Sequence, residues 1–190
     1  MLILLVSLSH AVTGFHLDSV GMPLVRGEQV VECPNEAGEG VYQKAWRSTG
    51  KKRLKGTCAN GLYEGTWKAW HDNGVIEWKG TLDAGRLEGR FKSWHSDGYA
   101  RAKGDYVSGL ADGTWKYWHK GGVRAAKGSW ELGLKQGCWA TWDKAGEKTS
   151  KGAYVDGDKV GRWFYWDQGV RRKERYGGAT SMGRCWWPLI

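Results

Sequence analysis

Aromatic and other large apolar residues alternate with polar residues and glycines in short segments, and this alternation returns at a fixed interval. The pattern Gly-x-aromatic-x-x-Trp begins at five glycines, each 24 residues after the one before: Gly65, Gly89, Gly113, Gly137 and Gly161. Self-similarity at a fixed period of this length is typical of repeat architectures. The sequence therefore predicts an array of like units, not one local aromatic site.

The second half of each unit repeats as well. A Lys-Gly pair is followed two residues later by a large apolar side chain and then by a further glycine, as in Lys79 to Gly85. The unit thus has two short segments separated by turns, and the Asn73-Gly74 pair supplies the positive φ angles of a tight hairpin turn. No segment has a sustained helical period. We expect an all-β fold, an elongated single-layer antiparallel meander of about six 24-residue β-hairpin repeats.

The chain divides into four predicted parts. Residues 1–11 resemble a signal peptide, with an apolar run from Leu2 to Leu8 and the small residues Ser9 and Ala11, but no basic residue precedes the run. Residues 12–39 form an N-terminal cap with a degenerate half-repeat, 40–176 the repeat array, and 177–190 a C-terminal cap strand. The apolar run is too short to span a bilayer. We expect a periplasmic or secreted protein without a transmembrane segment, with the cytoplasm as the alternative.

The two Trp residues of each unit raise a question about the faces of the sheet. Trp67 and Trp70 are three residues apart, so strict alternation puts them on opposite faces. Either a bulge brings both to one face, or both faces carry an aromatic row. In the second case the outer row is a candidate interaction surface: Trp70, Trp94, Trp118, Trp142 and Trp166.

Lysines recur beside these aromatic residues. The regular ladder consists of Lys79, Lys103, Lys127 and Lys151, and Lys68, Lys92 and Lys116 extend it. Lysines beside Trp rings can bind single-stranded nucleic acid, or a glycan by ring stacking. In the alternative that we favour, the lysine stems cover the sheet and the charged heads stay in water.

Composition and charge narrow the classes of partner. The chain has 30 Gly, 14 Trp and a formal net charge of +9. The aromatic content excludes a disordered chain, and the charge favours acidic partners in general. Predicted export argues against nucleic acid.

Four cysteines in a chain predicted to be exported suggest disulfides. Cys33 and Cys58 occupy equivalent positions in consecutive units and are the candidate pair, although a regular meander would place one strand between them. Their bond requires an irregular capping unit. Cys138 and Cys185 are predicted to lie about four strands apart, which argues against their pairing.

Candidates for catalysis and metal binding are weak. His71, His95 and His119 share one place in three units, but strands two apart hold such side chains about 10 Å from one another, too far to share an ion. The segment Ala179–Gly183 is a near miss to G-x-S-x-G without its strand–turn–helix context. We expect no enzyme activity, no metal and no cofactor.

The unit G-x-W-x-x-W-x-x-x-G followed by K-G-x-[YWL]-x-x-G resembles the MORN repeat, and more closely the bacterial MORN-variant repeat, over about residues 27–187. The resemblance implies a scaffold or interaction surface, since MORN-like arrays are reported to organise protein partners or to engage lipids. We therefore expect a non-enzymatic protein-interaction or scaffold module with a protein partner. The alternatives are an immunity or antitoxin protein that binds a specific toxin, and an envelope-binding module for glycan or anionic lipid.

Overall fold

A computed structural model of the protein describes Cys33, residues 39–177 and Cys185. Within these ranges the chain forms one 12-stranded sheet in which every strand pairs antiparallel with the next in sequence, so the all-β meander is confirmed. The strands are β1 (Gly40–Ala45), β2 (Lys52–Ala59), β3 (Leu62–Trp70), β4 (Ile76–Asp83), β5 (Arg86–Trp94), β6 (Ala100–Val107), β7 (Leu110–Trp118), β8 (Arg124–Glu131), β9 (Leu134–Trp142), β10 (Lys148–Val155), β11 (Asp158–Asp167) and β12 (Val170–Tyr176).

The predicted signal peptide lies outside the described residues, as does most of the two predicted caps. The described part of the chain contains no helix, and so none long and apolar enough to cross a membrane.

The hairpins close through two kinds of turn. Two-residue turns join β4 to β5 and its equivalents, and both central residues have positive φ, as in Ala84 (45°) and Gly85 (75°). This is the type I′ geometry that matches the twist of paired strands. The Asn73-Gly74 pair lies instead in the longer connection between β3 and β4, where only Gly74 has positive φ. The predicted hairpin turn is therefore present, closed by Gly74 N donating to His71 O at 2.9 Å, but Asn73 does not adopt the positive φ.

One face of the sheet, which we call the core face, carries the first aromatic residue of each unit. Trp67 and Trp115 are fully buried, and a Cβ added to Gly104 would lie 2.2 Å from the Trp115 ring. Each first-Trp ring thus lies flat on a glycine of the preceding strand. Its indole N–H donates to a backbone carbonyl, as Trp115 Nε1 does to Asp105 O at 3.1 Å. The core is therefore one ring deep, and glycine is required beneath each ring.

The first glycine of each unit forms a bulge that sets the register. Lys55 pairs with Lys68 and Thr57 with Glu64, so three residues of β3 face Gly56 alone. Gly65 within this bulge has a φ of 68°, in the left-handed region that favours glycine. Because the same glycine recurs in every unit, the same register recurs as well.

Two disulfides join the sheet to residues outside its strands. Cys33 is bonded to Cys58 of β2 on the core face, with Cα atoms 6.1 Å apart, and Cys33 N donates to Gly61 O. Cys33 belongs to no strand, which is the irregular cap that such a bond requires.

Cys138 of β9 is bonded to Cys185, with Cα atoms 5.5 Å apart. The sequence argument against this pairing is wrong because it placed Cys185 on a strand beyond the end of the meander. Cys185 lies in no strand and is held against β9, three strands back from β12.

Candidate functional site

The face opposite the core, which we call the open face, carries a continuous line of lysines. In seven consecutive strands, β2 to β8, a lysine is the direct cross-strand partner of the lysine on the next strand. We call this set the lysine row: Lys55, Lys68, Lys79, Lys92, Lys103, Lys116 and Lys127. At about 4.8 Å per strand, the row is about 30 Å long and runs across the strands.

The bulge and the strand alternation explain why the lysines line up. In β3, Trp67 and Ala69 are buried on the core face, so Lys68 between them projects from the open face. The bulge at Gly65 keeps Lys68 in register with a lysine on both neighbouring strands. Six of the seven lysines are exposed, and Lys127 is partly buried.

The second Trp of each unit lies on the open face with the lysines. Trp70 follows Lys68 by two residues in β3, so regular alternation puts both side chains on the open face. The register shifts beside Trp70, but the unpaired residue is Glu77 of β4, so the alternation in β3 is not interrupted. The five second-Trp rings are partly buried and absent from the buried core. Of the two readings of the sequence, the structure therefore supports an aromatic row on each face.

Histidines connect these Trp residues from repeat to repeat. The ring Nε2 of His71 donates to Trp94 O at 3.0 Å, and His95 and His119 make the same bond to Trp118 O and Trp142 O. Within the described ranges, no three His, Cys, Asp or Glu residues are grouped so that they could hold a metal. The histidine ladder thus ties the turns of successive repeats together.

A second row, on the side of the two-residue turns, flanks the lysines. It contains the carboxylates Glu64, Glu88 and Asp112, which accept hydrogen bonds from backbone N–H groups of the next turn, as Glu88 Oε2 does from Ser108 N at 2.7 Å. Asp105 in the same row faces Arg90 at 3.7 Å. On this side the lysine row is therefore bordered by carboxylates, with Arg90 as the cation that faces one of them.

The ammonium groups of neighbouring lysines in the row repel one another. Burial lowers the pKa of Lys127, and the positive charges of Lys116 and Arg124 lower it further. Among the described residues, Lys68, Lys79 and Lys103 form no salt bridge. Like charges directly opposite one another destabilise a sheet, so the row does not contribute to the stability of the unbound protein.

The open face changes character at β9. Ala140 takes the lysine position in β9, and it, Ala153 and Val160 are only 7%, 2% and 6% exposed. Cys138, on the same face two residues before Ala140, carries the disulfide to Cys185. Around the disulfide, the open face of β9 to β11 therefore has small apolar residues, and Cys185 is bonded to it, while Lys151 of β10 lies beside Ala140.

The structure brings most of the predicted surface residues together but divides them at β9. Lys79, Lys103 and Lys127 belong to the lysine row, whereas Lys151 is separated from it by Ala140. Trp142 and Trp166 lie under cations, with Arg124 and Lys148 each 5.6 Å from the ring centroid.

Sequence reasoning missed the direct pairing within the row and the inclusion of Lys55. The signal was present, since Lys55 and Lys79 each precede the glycine that lies under a core ring. The register that pairs them depends on the bulge at Gly65, which the sequence alone does not reveal.

Comparison with known proteins assigns no family. A scan against protein-family models gave no match to this chain, and a search of curated proteins gave none either. The resemblance to the MORN repeat rests on the motif and stays a prediction.

Proposed function

We propose that this protein is a non-enzymatic interaction module that binds an anionic partner along the lysine row. The observation that carries the proposal is the direct cross-strand pairing of seven lysines over β2 to β8. An anion placed along the row would relieve the repulsion between neighbouring ammonium groups.

The region from β9 to β11 supports a binding role over a purely solubilising one. There Cys185 is bonded to the open face through Cys138, and alanine and valine stand where the earlier repeats have lysine and polar residues. Lysines that only kept the sheet soluble would be expected to alternate with acidic residues within the row itself, as charges of both signs do on ordinary surfaces. A line of one sign along one row is instead what an anionic ligand would complement.

The expected scaffold role is compatible with this face. A rigid array presents the row as one continuous surface, and ordering a partner along it needs no catalytic group. The immunity and envelope-binding alternatives would use the same surface, so the nature of the anion distinguishes them.

A charge-matched pair of triple variants tests the proposal. The row variant replaces Lys79, Lys103 and Lys116 by Gln, and we expect it to bind a fluorescein-labelled poly-L-glutamate at least tenfold more weakly than the wild type at low salt. The affinity of the wild type should fall steeply with salt and that of the row variant less steeply, because fewer ion contacts form.

The control variant replaces three exposed lysines away from the row by Gln: Lys44, Lys120 and Lys144. It has the same net charge as the row variant, so its affinity should stay within about twofold of the wild type. Equal losses in the two variants would show that net charge alone governs binding and would contradict the proposal.

A further inference from the structure

We infer that the anionic partner is an extended acidic polysaccharide lying along the lysine row, across the strands. The inference rests on the proposed function and names its ligand class. It is carried by the width of the row, its spacing and the position of the open-face Trp rings.

The width of the row favours a linear ligand over a membrane surface. The neighbouring row contains Glu64, Glu88, Asp105 and Asp112, so a flat layer of anionic headgroups pressed on the open face would meet carboxylates beside the lysines. A single narrow chain contacts the lysines without approaching these groups. The charge pattern thus complements a line of anions.

The spacing of the row discriminates among linear polyanions. Consecutive lysines are about 4.8 Å apart, the distance between strands. An extended acidic peptide presents side chains to one side only every second residue, about 6.8 Å apart. Phosphates along one strand of a nucleic acid duplex rise by about 3.4 Å. The length of one sugar ring in an extended polysaccharide is close to the strand spacing, so one sugar can lie over each strand. The flexible four-carbon stem of lysine can then reach a carboxylate or sulfate on either side of the sugar chain.

The Trp rings add a second period that fits a sugar chain. Trp70, Trp94 and Trp118 occur on alternate strands, β3, β5 and β7, which gives one ring for every two lysines, about 10 Å apart. Successive sugars of an extended chain turn opposite faces to a surface, so every second sugar can place its C–H face on an aromatic ring. A polyanion without sugar rings has no group that would stack on a Trp ring at every second strand.

The same features end together at β9. Ala140 interrupts the lysines, Cys138 carries the disulfide to Cys185, and the Trp142 ring lies under Arg124. The predicted ligand therefore spans β2 to β8, which corresponds to about seven sugars at one per strand.

The experiment measures binding of fluorescently labelled oligogalacturonates of increasing length to the intact protein at low salt. We expect affinity to rise with each added sugar and to level off at about seven sugars, when the row is filled. An oligomer of ten sugars should bind at least tenfold more tightly than a poly-L-glutamate of equal charge. The row variant should lose at least tenfold of this affinity, and the control variant less than twofold.

Two substitutions of Trp94 test the stacking on the open-face Trp rings, and thermal unfolding checks that each variant folds. Trp94→Ala should weaken the ten-sugar oligomer at least fivefold and leave poly-L-glutamate unchanged, since only the sugar stacks on the ring. The more conservative Trp94→Tyr retains an aromatic face and should keep most of the affinity. A Trp94→Tyr variant that folds and loses as much as Trp94→Ala would overturn the stacking and, with it, the sugar ligand.

The other probes separate failure of this inference from failure of the proposed function. If poly-L-glutamate, a deca-thymidylate or vesicles containing phosphatidylserine bind as tightly as the oligogalacturonate and depend on the row, the proposed function stands and the polysaccharide inference falls. If no probe shows an affinity that distinguishes the row variant from the control variant, both fall.

Discussion

Two regions of the open face, β2–β8 and β9–β11, are built from the same repeat and differ in what covers them. Four open-face positions change together between one repeat and the next, 24 residues apart: Thr114 to Cys138, Lys116 to Ala140, Ser129 to Ala153 and Gln136 to Val160. The later set lies where Cys185 is attached, and the earlier set lies beside the lysine row.

The difference shows that the core-face Trp residues recur in both regions, whereas the open-face residues change where Cys185 is bonded to the sheet. Trp115, Trp139 and Trp163 keep the same place under the same kind of glycine contact in both regions. The open face has small apolar residues around the disulfide to Cys185 and a continuous line of lysines over β2 to β8. The predictions below test this contrast, from the largest expected effect to the smallest.

Removing the Cys138–Cys185 disulfide should have the largest effect. The bond closes 47 residues, and the double variant Cys138→Ala, Cys185→Ala should lose about 2–4 kcal/mol of unfolding free energy. Urea unfolding measures the loss, and amide exchange at Ala140 and Ala153 should accelerate more than at Lys103 and Lys116. Uniform acceleration over all strands would show that Cys185 does not protect this face locally.

Exchanging the residues at the lysine position should affect the two regions unequally. Ala140→Lys places a charge at a site only 7% exposed and should cost about 1–3 kcal/mol of stability. Lys116→Ala in the uncovered region should change stability by less than about 0.5 kcal/mol, since it also removes repulsion between lysines. Thermal unfolding of both variants gives the comparison, and equal losses would contradict the assigned difference in covering.

Replacing the glycine beneath a core-face Trp ring should lower the stability by a similar amount in both regions. A Cβ at Gly104 of β6 or Gly152 of β10 would lie 2.2 or 2.1 Å from the ring above it, so Gly104→Ala and Gly152→Ala should each cost about 1–3 kcal/mol. At Gly80 the nearest side-chain atom is 3.0 Å away, on Leu87, and Phe91 takes the place of Trp. Gly80→Ala should therefore cost less than the other two, as chemical denaturation would show.

The turn between β8 and β9, where the two regions meet, allows a substitution with a smaller, stabilising effect. Leu132 precedes Gly133 in a two-residue turn with a φ of 45°, a conformation that is unfavourable for leucine. Leu132→Asn should raise stability by about 0.5–1 kcal/mol, because asparagine tolerates this conformation. Asn60 stands at the equivalent turn with a φ of 51°, so Asn60→Leu should lower stability by a similar amount in the same thermal unfolding assay.

The smallest effect is a difference in proton affinity between two lysines. A hydrogen bond to Tyr165 raises the pKa of Lys159 on the core face, whereas burial and neighbouring cations lower the pKa of Lys127 in the row. An NMR titration of the side-chain resonances should find Lys127 losing its proton at lower pH than Lys159.

The sign of the linked stability differs accordingly. Lys159 stabilises the folded protein at neutral pH and loses this contribution as pH rises through its raised pKa. Lys127 opposes folding while it is charged, and that cost disappears as pH rises past the ordinary lysine pKa. A pKa for Lys127 equal to or above that of Lys159 would contradict the repulsion within the row.

Much of the fold could be predicted from the sequence because the repeats are regular. The 24-residue spacing of Gly65 and Gly89 predicts the strand number, whereas the alternation around Trp67 left open whether Trp70 shares its face. The position of the tightest turns, at Gly85 and its counterparts, could be predicted, but their type could not, since Ala84 adopts positive φ without being a typical residue for it. Strand pairing on both sides imposes that conformation.

The candidate site could be predicted only in part. The lysines and second Trp residues were visible as periodic positions, but periodicity does not say whether Lys68 faces Lys79 directly or diagonally. The bulge at Gly65 decides that register, and whether a bulge forms depends on the pairing with the neighbouring strands.

The sequence by itself determined the number of strands, their order and the aromatic ladder, because each depends on contacts between residues a fixed, short distance apart in the chain. Only the tertiary structure decided which lysines pair, and that Cys185 lies against β9 and not beyond β12. Cys138 and Cys185 are 47 residues apart, and a contact at that separation leaves no periodic trace in the residues between them. The covered and uncovered parts of the open face are therefore a property of the folded chain, although the residues on each part already reflect the division.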